Sequence, residues 1–85
     1  MAKPIITDDE YKKATHRVGG LSTKQREFVD EMTEGSLHDK DPGGRTGMTK
    51  EELDERFESI EKTGKQFGIS SQKVAELKEK LEEKL

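Results

Sequence analysis

Four short stretches of this chain carry the same start signal for a helix. "ITDDEY" places Ile6 before Thr7, with Glu10 three residues after the threonine. "LSTKQ" places Leu21 before Ser22, with Gln25 three later, and "MTKEEL" places Met48 before Thr49, with Glu52 three later. "ISSQKV" places Ile69 before Ser70. A hydroxyl at the position before a helix accepts a bond from a free backbone N–H, and Glu or Gln three residues on reaches back to the cap. The apolar residue before the cap can staple onto the fourth helical residue, as Ile6 can onto Tyr11, Met48 onto Leu53 and Ile69 onto Val74. Stops match the starts: Gly19-Gly20, Gly35 and Gly68 follow the first three segments, and glycine tolerates the left-handed backbone that commonly ends a helix. The pattern predicts helices over 8–18, 22–34, 50–67 and 71–84. No segment shows sustained strand alternation. The expected fold is all-α: four short helices in two helical hairpins, joined by a flexible Gly/Asp-rich loop over 35–48, with a flexible start over 1–5.

The apolar residues draw stripes along these helices. Leu53, Phe57, Ile60, Gly64 and Phe67 follow a 4-3-4-3 spacing, and Val74, Leu77, Leu81 and Leu85 form a narrower line. Phe28, Val29 and Met32 serve the second helix, and Tyr11, Ala14 and Val18 the first. These positions are the candidate core. The narrow last stripe also suits a short coiled coil, which makes a homodimer through the C-terminal helix an alternative use. With 85 residues, 27% of them apolar and 41% charged, the chain can form one small domain with a thin stability margin. The absence of cysteine excludes disulfides and thiolate metal sites, and His16 and His38 alone are too few for a histidine-built zinc site. No apolar run approaches membrane-spanning length and no signal-peptide core follows the start, so a cytoplasmic protein is expected. Charge is unevenly placed: residues 1–26 hold six basic and three acidic side chains, 27–61 hold four and twelve, and 62–85 hold six and four. That arrangement suits two ends facing a polyanion and a middle facing away.

The stretch "HDKDPGGRTGMTKEEL", His38 to Leu53, invites two chemical readings. It resembles an EF-hand loop, with Asp39 and Asp41 at alternate positions and Gly44 at the sixth. The twelfth position is Lys50, and a two-residue insertion is needed to bring Glu52 into the bidentate place. The resemblance implies calcium held by Asp39, Asp41 and Glu52. Glu52 already has a structural role as the capping partner of Thr49. With Glu34-Gly35 upstream, the same stretch resembles part of a phage muramidase motif, in which a Glu-Gly pair precedes Asp-Pro-Gly-Gly. That would imply a carboxylate pair in a sugar cleft. No Trp and a single Tyr leave little to wall such a cleft, so no enzyme and no cofactor are expected. Its Gly, Asp, Thr and Pro content is turn chemistry, which fits a polar connector.

A quieter stretch, "IEKTGKQFGISSQKVAEL" from Ile60 to Leu77, resembles a helix-turn-helix DNA-binding motif. Gly64 stands four before the turn residue Gly68, in the place usually held by alanine, and Val74 and Leu77 follow at the spacing that packs the second helix on the first. The resemblance implies a second helix whose leading residues, Ser70, Ser71, Gln72 and Lys73, enter a major groove. "LSTKQREFVDEM", Leu21 to Met32, is similar to the opening helix of phage terminase small subunits, though the alanine-rich turn that continues that motif is absent. Lys12, Lys13, His16, Arg17, Lys24 and Arg26 would add phosphate contacts. The expected function is a small non-enzymatic DNA-binding accessory or regulatory protein of bacterial or phage type that binds double-stranded DNA as a dimer. The alternatives are a helical protein-interaction module and a calcium-binding helix–loop–helix.

Overall fold

The structure, a computed structural model, describes residues 4–40 and 43–85. It is mostly helical, with a very short two-stranded sheet. In chain order the elements are β1 (Ile5–Ile6), α1 (Asp8–His16), α2 (Thr23–Leu37), β2 (Met48–Thr49), α3 (Lys50–Gly64), a 3-10 turn (Lys65–Phe67) and α4 (Ser71–Glu82).

All four predicted starts are caps. Thr7, Ser22 and Thr49 each form a full capping box, with Glu10, Gln25 and Glu52 returning to the cap backbone. Ser70 caps α4 by accepting from the Lys73 N–H. The ends differ from expectation by a turn or less. α1 stops at His16 and α4 at Glu82, and the predicted end of α3 tightens into the 3-10 turn before Gly68. α2 passes through Gly35 to Leu37. Burial overrides the glycine there, because Ser36 and Leu37 lie in the core and the Ser36 hydroxyl accepts from Arg56 Nε at 2.9 Å.

The strands are the feature the sequence pattern does not predict. β1 and β2 are antiparallel, with Ile5 opposite Thr49 and Ile6 opposite Met48. Each strand is the residue pair leading into a capped helix, so the ladder ties the starts of α1 and α3 together. Gly47 lets the chains meet: a Cβ there would lie 2.8 Å from the Ile6 carbonyl oxygen. The segment expected to be a polar connector is partly built in. Its start is helical, Lys40 bridges Thr46, and Met48 is fully buried.

The core gathers Ile6, Tyr11, Val29, Met48, Leu53, Phe57, Ile60, Leu77 and Leu81 with their neighbours. α1 packs chiefly on α4 and α2 on α3, while α3 and α4 also pack on each other. The first two helices therefore meet other helices more than one another. The C-terminal stripe is inside this core, with Leu77 and Leu81 fully buried, so in this fold it is not a free seam for a second chain. Lys50 and Lys78 both reach Asp54, at 2.6 and 3.1 Å, and Lys50 also reaches Glu82 at 3.2 Å, clasping α3 to α4. Among the described residues no helix is long and apolar enough to cross a membrane.

Candidate nucleic-acid interface

The corner between α3 and α4 depends on one backbone angle. Gly68 has φ 78°, the left-handed region where a side chain is strained, and it reverses the chain into the Ser70 cap. Gly64 lets the helices cross closely: a Cβ there would stand 3.5 Å from Ile69 Cβ, so the alanine usual in the resembled motif would also fit. Ile69, Val74 and Leu77 are buried beneath the corner. Ser70, Ser71 and Gln72 are exposed at its outer edge. The Ser70 hydroxyl accepts from the Lys73 N–H at 3.2 Å.

The expected site residues separate on inspection. Lys73 is turned inward. Its ammonium donates to the Gly19 carbonyl at 2.7 Å and lies 3.4 Å from Glu76, so it holds the corner to the α1–α2 turn. Lys12 pairs with Asp8 at 3.1 Å, and that carboxylate holds its ammonium above the ordinary lysine range. It lines a groove of about 580 Å³ walled by the carboxylates of Asp8, Glu27, Asp30, Glu31 and Glu34, a setting that repels phosphate. Lys13 and Arg17 are exposed, and Arg17 forms the end of α1 just before Gly19.

Other residues at the corner make long-range contacts that their local sequence signals do not give. Gln25 Nε2 donates to the Phe67 carbonyl at 2.8 Å, fastening the start of α2 to the 3-10 turn. Phe28 and Phe67 stack with centroids 4.4 Å apart, and Phe67 remains 46% exposed. Arg26, expected as a phosphate contact, is instead half-buried and donates to the Thr15 carbonyl at 3.1 Å and to the Val18 carbonyl, closing the end of α1. The Gly-apolar-Ser run shared by Gly20-Leu21-Ser22 and Gly68-Ile69-Ser70 is the one readable clue that these two turns are alike. Arg17, Lys24 and Lys65, on or beside these turns, are exposed cations.

The acidic loop offers less. Asp41 lies outside the described residues. The Asp39 carboxylate is on an exposed residue, and its backbone carbonyl accepts from Gly47 N–H at 3.1 Å. Glu52 Oε1 accepts from Thr49 N at 3.0 Å and from its hydroxyl at 3.1 Å. Glu10 and Thr7 repeat those bonds at the same distances, with no acidic residue between Met1 and Thr7. The box is thus a self-sufficient cap. Among the described residues, no three His, Asp or Glu side chains converge as a metal-binding group. Comparison of the chain with protein-family models, curated proteins and solved structures found no match.

Proposed function

We propose that this protein binds double-stranded DNA without catalysing a reaction, as a small accessory or regulatory factor, with the α3–α4 hairpin as its helix-turn-helix. One observation carries the reading: beyond the left-handed Gly68 the first turn of α4 projects Ser70, Ser71 and Gln72 outward, while Val74 and Leu77 anchor it in the core. A major groove about 12 Å wide admits such a helix. The Gln72 amide can donate to and accept from a base edge, a contact that contributes about 1–3 kcal/mol of discrimination when bidentate. Ser71 and the cations Arg17, Lys24 and Lys65 suit phosphates, which fix register without reading sequence.

Charge sets the docking angle. Glu58 and Glu61 line a hollow beside Ser71, and Glu79, Glu82 and Glu83 follow along α4. These carboxylates oppose a lengthwise approach of α4, so its tip enters end-on. Binding through a few phosphates releases counterions and weakens steeply with salt. The test is fluorescence anisotropy of a labelled duplex at roughly 50 mM and 200 mM salt. Binding at the lower concentration that falls sharply at the higher one supports the reading; no binding at low salt overturns it.

Phe67 favours a second reading, a helical protein-interaction module, because it leaves a large aromatic ring half open to solvent. Under that reading sedimentation shows self-association that Phe67→Ser abolishes and salt leaves unchanged.

A further inference from the structure

The chain holds two units with the same order of elements. β1–α1–turn–α2 and β2–α3–turn–α4 begin alike: Ile6, Thr7 and Glu10 correspond to Met48, Thr49 and Glu52 at an offset of 42 (48 − 6). The two caps have nearly the same backbone, φ −79° and ψ 165° at Thr7 against −81° and 169° at Thr49. α3 has 15 residues and α1 has 9, and this difference of six raises the offset to 48 at the turns. Gly20 (φ 83°) then corresponds to Gly68 (φ 78°), Leu21 to Ile69, and the cap Ser22 to the cap Ser70. Packing follows the same exchange in part. Swapping the units turns the α1–α4 contact into the α3–α2 contact, both of which are present, and Ile6 pairs with its own counterpart, Met48. The α3–α4 contact, by contrast, has no equally extensive α1–α2 counterpart.

The two turns also hold each other reciprocally. Gln25 donates across to the carbonyl of Phe67, and its counterpart Lys73 donates back to the carbonyl of Gly19, the counterpart of Phe67. These bonds, 2.8 and 2.7 Å long, fix the tips side by side. Arg17 and Lys65 stand at corresponding positions (17 + 48 = 65) two residues before each crossed carbonyl. Both are exposed, as are Thr23 and Lys24 on the first tip and Ser71 and Gln72 on the second.

We infer that the first tip, Leu21–Lys24, is a second contact element equivalent to Ile69–Gln72, and that one chain sets both tips on a single DNA duplex, with Arg17 and Lys65 as paired phosphate anchors. The inference rests on the DNA-binding reading and adds a second set of residues to it. Two-fold dimers of helix-turn-helix proteins place their reading helices one DNA turn apart, about 34 Å. Tips joined by direct side-chain bonds cannot span that distance. Both therefore fall on one stretch of groove, and the footprint is shorter than one helical turn.

Anisotropy with the full chain and a short labelled duplex at low salt tests this. Three double variants are compared with the unaltered chain: Arg17→Glu with Lys24→Glu, Lys65→Glu with Gln72→Glu, and Lys80→Glu with Lys84→Glu. The last pair is exposed near the far end of α4 and controls for overall charge. Circular dichroism confirms that each remains helical. The expected result is a loss of about tenfold or more for each tip variant and a small change for the control, since each lost phosphate contact lowers affinity. If the Arg17/Lys24 variant binds like the unaltered chain while the Lys65/Gln72 variant weakens, the second element is refuted and the DNA-binding reading stands. Equal weakening by the control refutes it too. Failure of the unaltered chain to bind refutes both.

Discussion

The second unit is filled with hydrocarbon: Leu53, Phe57 and Ile60 from α3 meet Leu77 and Leu81 from α4, all buried. The first unit buries Ile6, Val18, Phe28, Val29 and Leu37 and adds polar anchors to them. Arg26, which stands where Val74 stands in the second unit, binds two carbonyls at the end of α1. The Tyr11 hydroxyl donates to Asp30 at 2.8 Å, and buried Thr15 and Thr33 return their hydroxyls to their own helices. The difference follows from length. A nine-residue α1 offers only Tyr11, Ala14 and Thr15 as buried positions, too little for an aliphatic seam. The comparison teaches that caps, turn glycines and the strand pair specify this backbone, while its filling can be apolar or hydrogen-bonded.

Substitutions in the two fillings should separate them. Leu77→Ala should have the largest effect, roughly 2–5 kcal/mol, from lost burial and the cavity left behind. Arg26→Ala removes charge-assisted bonds to two carbonyls and should cost less, about 1.5–3 kcal/mol. Urea denaturation of both variants checks the order. A larger loss for Arg26→Ala would mean that polar anchoring, not hydrocarbon, dominates the fold.

A smaller effect, at alkaline pH, distinguishes the first unit by its titration. Burial pushes the Tyr11 phenol far above its ordinary range, and its bond to Asp30 adds to the shift. With the folded value above the unfolded one, this contribution is complete below the ordinary value of 10.0 and is lost as pH rises beyond it. Tyr11 is the only tyrosine and there is no tryptophan, so tyrosinate absorbance reports this residue alone. It should appear together with loss of helical circular dichroism. Ionisation near pH 10 with the helices intact would contradict the burial described.

What was legible in the sequence is local chemistry. The caps at Thr7, Ser22, Thr49 and Ser70 depend on bonds spanning three residues, and the turn at Gly68 on one backbone angle. Burial of Leu53, Phe57, Ile60, Leu77 and Leu81 followed from helical spacing. The two-residue strands are too short to show alternation. The continuation of α2 past Gly35 depends on Arg56, twenty residues away from the Ser36 it binds. Lys73 looks like a surface cation until Gly19, 54 residues distant, is placed beside it. The likeness of the two units was masked because α3 is longer than α1, which changes the offset between them.

The most direct test of the account is a backbone amide spectrum of the full chain recorded with and without a short DNA duplex at low salt. The account predicts shifts confined to two segments, residues 17–25 and 65–73, moving together along one titration curve. Shifts centred instead on the groove walled by Asp30 and Glu34 or on the loop leading to Glu52, or shifts in only one of the two turns, would contradict it.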